Sequence, residues 1–169
     1  VWIFLPWVYH SLIRNDKKRR EGALVNLRQA GHPYIDQIKR YYDGCNTADV
    51  DLMMSTFTDD VAHYFVDHSK VQGASGLANY WAKVAPKTQA NWQLDHAIVQ
   101  DDEAVIEWSM KWQPIVTETP EILRGSEWYV FVGDKIAEIR SYHNNYYLAQ
   151  PKNRDLWDFD YEARGYRQL

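Results

Sequence analysis

The sequence predicts an α+β domain in which helices from the first half of the chain pack on one face of a curved, mostly antiparallel sheet. Three observations predict it. Apolar residues recur at helical spacing in three segments up to Val84. From Trp92 onward the period is two, and short turns separate the alternating runs. Helices first and a strand meander afterwards is the order that segregates helices to one face of an antiparallel sheet. A chain of 169 residues, 46% hydrophobic, is enough for one domain with a real core.

The N-terminal stretch VWIFLPWVYHSLI is apolar, and the basic run NDKKRR follows it. Its thirteen residues are too few to span a bilayer, and no small-residue cleavage site follows. Residues 1–32 are expected to form an extension that packs on its own domain or on a second subunit. An interfacial anchor or partner-binding helix is the alternative. The domain proper is expected over residues 33–150, after Gly31-His32-Pro33, with residues 151–169 as a tail packing on it.

Within the domain, Tyr34, Ile38, Tyr41 and Cys45 mark a first helix, and Val50, Met53, Met54 and Phe57 a second. Asn46 and Thr47 sit where a cap is expected, since short polar side chains satisfy orphan N–H groups. After Asp60 a strand is expected, with His63, Phe65 and Asp67 on one face and its end near His68. Gly73 to Gly76 introduces a third helix, whose face is Leu77, Tyr80, Trp81 and Val84 and which Pro86 closes. Trp92, Leu94, His96 and Ile98 then form one strand face, and Gln100-Asp101-Asp102 turns the chain. Ile106, Trp108, Met110 and Trp112 face inward on the next strand. Finally, LRGSEWYVFV pairs through Gly133-Asp134 with KIAEIRSYHN.

Composition narrows the function classes. Residues 1–32 carry six Lys/Arg and two acids, a net of +4, and residues 33–169 carry thirteen and twenty-one, a net of −8. An acidic domain argues against nucleic acid as a partner. Cys45 is alone, so no disulfide forms within the chain and a cytoplasmic setting is expected. One Cys and scattered His give no zinc pattern, so no metal is expected. Gly73 to Gly76 lacks the order of a phosphate loop, and no cofactor is called for.

The run RYYDGCNTADVDLMMSTFTDDVAHYF, Arg40 to Phe65, resembles the opening of the SnoaL-like and ketosteroid-isomerase branch of the nuclear transport factor 2-like superfamily. The resemblance covers residues 33 to 145 and implies a cone-shaped α+β barrel around a pocket. Ketosteroid isomerases polarise a carbonyl with a first-helix Tyr and a late-strand acid, and move the proton with a carboxylate on the first strand. The resemblance places these on Tyr41, Glu127 and Phe65. A phenyl ring accepts no proton, so the familiar isomerase route is excluded. The acid/base position of SnoaL-type cyclases falls on Ser141, a poor base unless activated.

Strand parity supplies the rest of the pocket. His63, Phe65 and Asp67 are expected inward from the first strand, Trp108, Met110 and Trp112 from the long strand, and Glu127, Ser141 and His143 from the last hairpin. Tyr41 and Trp81 come from helices. A two-residue turn at Gly133-Asp134 would leave Glu127 and Ser141 on opposite faces, so a bulge or longer turn is expected. Glu127 buried among aromatics would have a raised pKa, as a general acid or as a partner of His143 or His63. A structural hydrogen bond to Tyr41 or a backbone amide is the competing reading. A His on an apolar face is more often a core residue than a catalyst, and this weighs on His63 and His143.

The expected function is cofactor-independent acid/base chemistry of the isomerase, cyclase, dehydratase or hydrolase type. The expected substrate is a small hydrophobic, cyclic molecule. Tyr41, Glu127, His143 and His63 are the candidate catalytic residues; Phe65, Asp67, Trp81, Trp108, Met110, Trp112 and Ser141 are the candidate binding residues. A homodimer is expected, and a non-catalytic ligand-binding or dimerisation module is the alternative.

Overall fold

The computed structural model describes residues 31–115, 119–143, 157–160 and 163–164. Nearly all of the expected extension and most of the tail lie outside these residues. No helix among the described residues is long and apolar enough to cross a membrane.

Helix α1 (Pro33–Thr47) opens with Pro33, whose fixed φ suits a first helical position. His32 caps it, Nδ1 accepting from the Tyr34 N–H at 3.2 Å. Ile35, Ile38, Tyr41, Tyr42 and Cys45 form its buried face. Helix α2 (Val50–Met54) is capped by Asp49, which accepts from the Leu52 N–H at 2.9 Å. The cap is therefore not at Asn46 or Thr47, both of which lie in the last turn of α1. The helices touch at Gly44, where an added Cβ would stand 2.6 Å from Met53 Cγ.

Phe57 does not end α2 as expected; it opens strand β1 (Phe57–Tyr64). That strand stops at Tyr64 instead of near His68, because residues 65–70 turn away to reach β2 (Val71–Gln72), which pairs back on Ala62 and His63. Helix α3 (Ala74–Thr88) continues past Pro86. A proline this close to the end forfeits little of the ladder, and the helix closes at Gln89 in the left-handed region.

Strands β3 (Asn91–Gln100), β4 (Glu103–Trp112), β5 (Glu121–Val132) and β6 (Lys135–His143) complete a six-stranded sheet of order β2-β1-β6-β5-β4-β3. Only the β1–β6 pair is parallel. The three helices cover one face, and one core of buried residues fills the space between, from Ile38 and Met53 to Leu77, Ile106 and Ile139. This is the cone-shaped α+β architecture.

Two bulges set which side chains enter the cone. In β3, Leu94 pairs with Trp108 but His96 pairs with Glu107, so Asp95 is the extra residue. Parity flips there: Ala97 is buried and Ile98 is 56% exposed. The expectation that Trp92, Leu94, His96 and Ile98 share one strand face is corrected accordingly. In the last hairpin the turn keeps two residues, Gly133-Asp134, with Gly133 at φ 62. Phe131 pairs with Ile136 and Val130 with Glu138, so Ala137 is the extra residue. This bulge brings Glu127 opposite Ser141 on the helix-facing side.

Candidate active site

Cross-strand register builds the site as two rows. Ile106, Glu127 and Ser141 lie opposite one another on β4, β5 and β6; Trp108, Gly125 and His143 form the next row. Around them is a cavity of about 200 Å³. Phe65, Asp67 and His68 enter it from the loop after β1, Tyr80 and Trp81 from α3, and Trp92 from the start of β3. Met110 and Trp112, further along β4, also line it.

Gly125 explains how Trp108 fits. A Cβ there would sit 2.5 Å from Trp108 Cζ2 and 2.9 Å from the Tyr142 carbonyl oxygen, so the indole occupies the space that a side chain would need. The indole then reaches toward His143, 6.1 Å away between ring centroids. Trp92 is placed from outside the sheet. Asn46 accepts from the Trp92 N–H at 2.7 Å and donates to the Trp92 carbonyl at 2.9 Å, imitating a neighbouring strand.

Glu127 is 6% exposed and accepts three hydrogen bonds. Tyr42 and Tyr129 donate to Oε2 at 2.8 and 2.5 Å, and Ser141 donates to Oε1 at 2.5 Å. Burial pushes the carboxyl above its ordinary value, and the bonds from Ser141, Tyr129 and Tyr42 pull it part of the way back. Burial, and next the charge of Glu127, hold both phenols well above 10.0, so they remain donors. The chain of contacts continues from Ser141 Oγ to His63 Nε2 at 2.6 Å. With the Ser141 proton directed at Glu127, His63 donates from Nε2; its buried Nδ1 has no hydrogen-bond partner. Burial, with smaller contributions from His68 and His143, holds His63 well below 6.5, as a neutral imidazole.

A second polar group lies on the same wall. Asp67 Oδ2 is 3.5 Å from His143 Nε2, and Asp67 Oδ1 is 3.7 Å from His68 Nε2. His68 also meets the Tyr80 hydroxyl at 3.0 Å. Burial and the nearby Asp67 push the Tyr80 phenol up to about 12.

The structure brings most of the sequence-expected residues together: Glu127, Ser141, His143, Phe65, Asp67, Trp81, Trp108, Met110 and Trp112 all line the cavity. Two stand apart from it. Tyr41 is 2% exposed and packs edge-on against Phe57, at 5.1 Å; the phenol that reaches Glu127 is its neighbour Tyr42. His63 is fully buried behind the wall, stacked on Phe65 at 4.0 Å, and its polar contacts with the site run to Ser141 and Glu127.

Four contributors escaped the sequence reading, and each left a signal. Ile35, Ile38, Tyr42 and Cys45 have the three-and-four spacing of a buried helix seam, as do Tyr34, Ile38, Tyr41 and Cys45, so the spacing marks both tyrosines as inward without choosing between them. Tyr129 shares the face of Glu127 by strand parity. Tyr80 already stood on the expected inner face of α3. A glycine inside a strand marks a close approach, which is the part Gly125 plays.

Comparison with known proteins agrees with this architecture. The SnoaL-like domain family matches residues 38–139. A protein of unknown function with a cystatin-like fold from Methylobium petroleophilum PM1 is similar at 31% identity, over 81% of this chain and 92% of its own, with a TM-score of 0.67. A putative SnoaL-like polyketide cyclase from Jannaschia sp. CCS1 is 13% identical over 73% of this chain and 93% of its own, with a TM-score of 0.60. A Mycobacterium tuberculosis protein solved with estradiol-17beta-hemisuccinate is 13% identical over 66% and 94%, with a TM-score of 0.58. No curated protein matches the sequence.

Proposed function

The chain belongs to the SnoaL-like domain family, and from that premise we propose that it is a cofactor-independent enzyme performing acid/base chemistry on a small hydrophobic cyclic molecule. One observation carries the proposal: a carboxyl group, Glu127, stands on the wall of an aromatic cavity with its pKa raised by burial. A carboxyl whose proton is held above the ordinary carboxylate range is a better general acid than an exposed one. Tyr42, Tyr129 and Ser141 hold its orientation; Tyr41 does not reach it. His143, aligned by Asp67, supplies a second proton carrier on the same wall. His63 acts through Ser141 as a positioning residue. The reaction class is isomerisation, cyclisation, dehydration or hydrolysis, and the solved relatives with a cyclase name and a bound steroid ester support a small cyclic substrate.

The deciding experiment begins with native mass spectrometry of the purified full chain, to identify a retained small molecule. Turnover of that compound is then compared between wild type and Glu127→Gln. A loss of about 10²–10⁴-fold is expected for a missing acid/base group. Equal turnover would remove Glu127 from the mechanism.

A non-catalytic binding module is the second reading, favoured by the fact that Glu127 already accepts three internal bonds and can serve as a structural hub. Under that reading Glu127→Gln lowers stability, and the retained molecule leaves the protein unaltered. Under either reading the proposed assembly is a homodimer through the outer face of the sheet, where Ile98, Ile122 and Val132 are exposed.

A further inference from the structure

We propose that the molecule bound in this cavity carries a positive charge: an ammonium group on a single ring or a comparably small apolar body. The inference rests on the reading of the cavity as a small-molecule site and names the charge of its ligand.

Six rings line the space: Phe65, Tyr80, Trp81, Trp92, Trp108 and Trp112. Three of them meet at angles. Trp81 is 4.9 Å from Tyr80 and 5.1 Å from Trp92, each pair inclined at 72°. Rings set nearly perpendicular enclose a corner and turn π faces in more than one direction. Those faces carry negative potential, and cations bind over them, most strongly over indole.

The charged groups on the wall have the same preference. Asp67 and Glu127 are both acids, and among the described residues lining the cavity none is Lys or Arg. The guanidiniums of the sheet are engaged on its other face. Arg140 meets Glu138 at 2.7 Å and Glu103 at 3.9 Å, and Arg124 lies 3.8 Å from Asp95. A carboxylate or sulfonate ligand would face Asp67 and Glu127 with imidazoles and neutral indole and phenol donors, but no Lys or Arg, to offset them. A hydrocarbon would gain from the rings but offer the Asp67 carboxylate no new partner in place of water. An ammonium gains from the rings and the acids together.

Size limits the rest of the ligand. A cavity of about 200 Å³ is of the order of the ~150 Å³ hole that accommodates benzene. One ring and a compact head group fill it.

The test uses the full chain and three probes of matched shape: benzyltrimethylammonium, neutral neopentylbenzene and anionic phenylmethanesulfonate. Tryptophan fluorescence is titrated at about pH 8, above the ordinary imidazole range, so that imidazolium does not compete for Asp67. The ammonium is expected to bind about tenfold or more tightly than the neutral probe, and the sulfonate not at all. Asp67→Asn should remove most of the ammonium's advantage over the neutral probe, and Trp81→Leu should weaken both probes while narrowing the gap between them. If a variant fails to fold, the wild-type comparison decides alone. A neutral or anionic probe that matches the ammonium overturns the charge assignment and leaves the small-molecule site standing. Failure of all three removes the small-molecule reading along with it.

Discussion

Glu127 shows how one side chain can be both a cost and an asset. Desolvation disfavours its charge, and three hydroxyl donors recover only part of the loss, so the folded protein keeps this proton to a higher pH than the unfolded chain does. The sign follows by linkage. Protons bind more tightly to the folded state, so the contribution of Glu127 to stability is greatest below its ordinary value of 4.5 and declines as pH rises through the raised value. Urea unfolding of wild type and Glu127→Gln at several pH values should show their stability difference moving against wild type as pH climbs out of the acid range. A difference independent of pH would contradict this. His63 runs the other way. Its pKa is depressed, so stability is whole above 6.5 and is lost as pH falls below that toward the lowered value. His63→Asn should flatten the acid side of the profile.

The strands owe their arrangement to places where regularity is broken. Asp95 and Ala137 each add one residue to a ladder, and each flips the alternation that follows. Without Ala137, Glu127 and Ser141 would point to opposite sides of the sheet. Gly125 is the counterpart at the side-chain level, an absence that Trp108 fills. Gly125→Ala should cost about 1–3 kcal/mol by overpacking and narrow the cavity, checked by urea unfolding and by weaker binding of benzyltrimethylammonium. Asn46 joins α1 to β3 through both polar groups of the Trp92 backbone. Asn46→Ala should leave those half-buried groups unmatched at a cost of about 1–3 kcal/mol, with Trp92 emission shifting to the red. Unchanged emission would mean that Trp92 is held by packing alone.

At the scale of the whole molecule, the cavity and the proposed dimer face lie on opposite sides of a single sheet. The helix-facing side carries Glu127 and the aromatics; the outer side carries Arg124 and Arg140 with their acidic partners and exposed Ile98, Ile122 and Val132. At the proposed dimer face, Ile122→Asp should shift the sedimentation coefficient of the full chain toward the monomer without changing its far-UV circular dichroism. A coefficient identical to that of wild type would place the contact elsewhere.

Periodicity made the α+β class, the run of helices before strands and the inward position of Glu127 readable, because alternation and helical spacing are local properties that each segment carries in its own residues. The pairing of Glu127 with Ser141 could be anticipated, but whether a bulge or a longer turn achieved it could not. The choice of Tyr42 over Tyr41, the turn of β3 at Asp95 and the recruitment of Trp92 by Asn46 waited for the fold. Each depends on how a helix rolls or a ladder slips against distant neighbours, and those adjustments are settled by packing across the core, where no single segment holds the information.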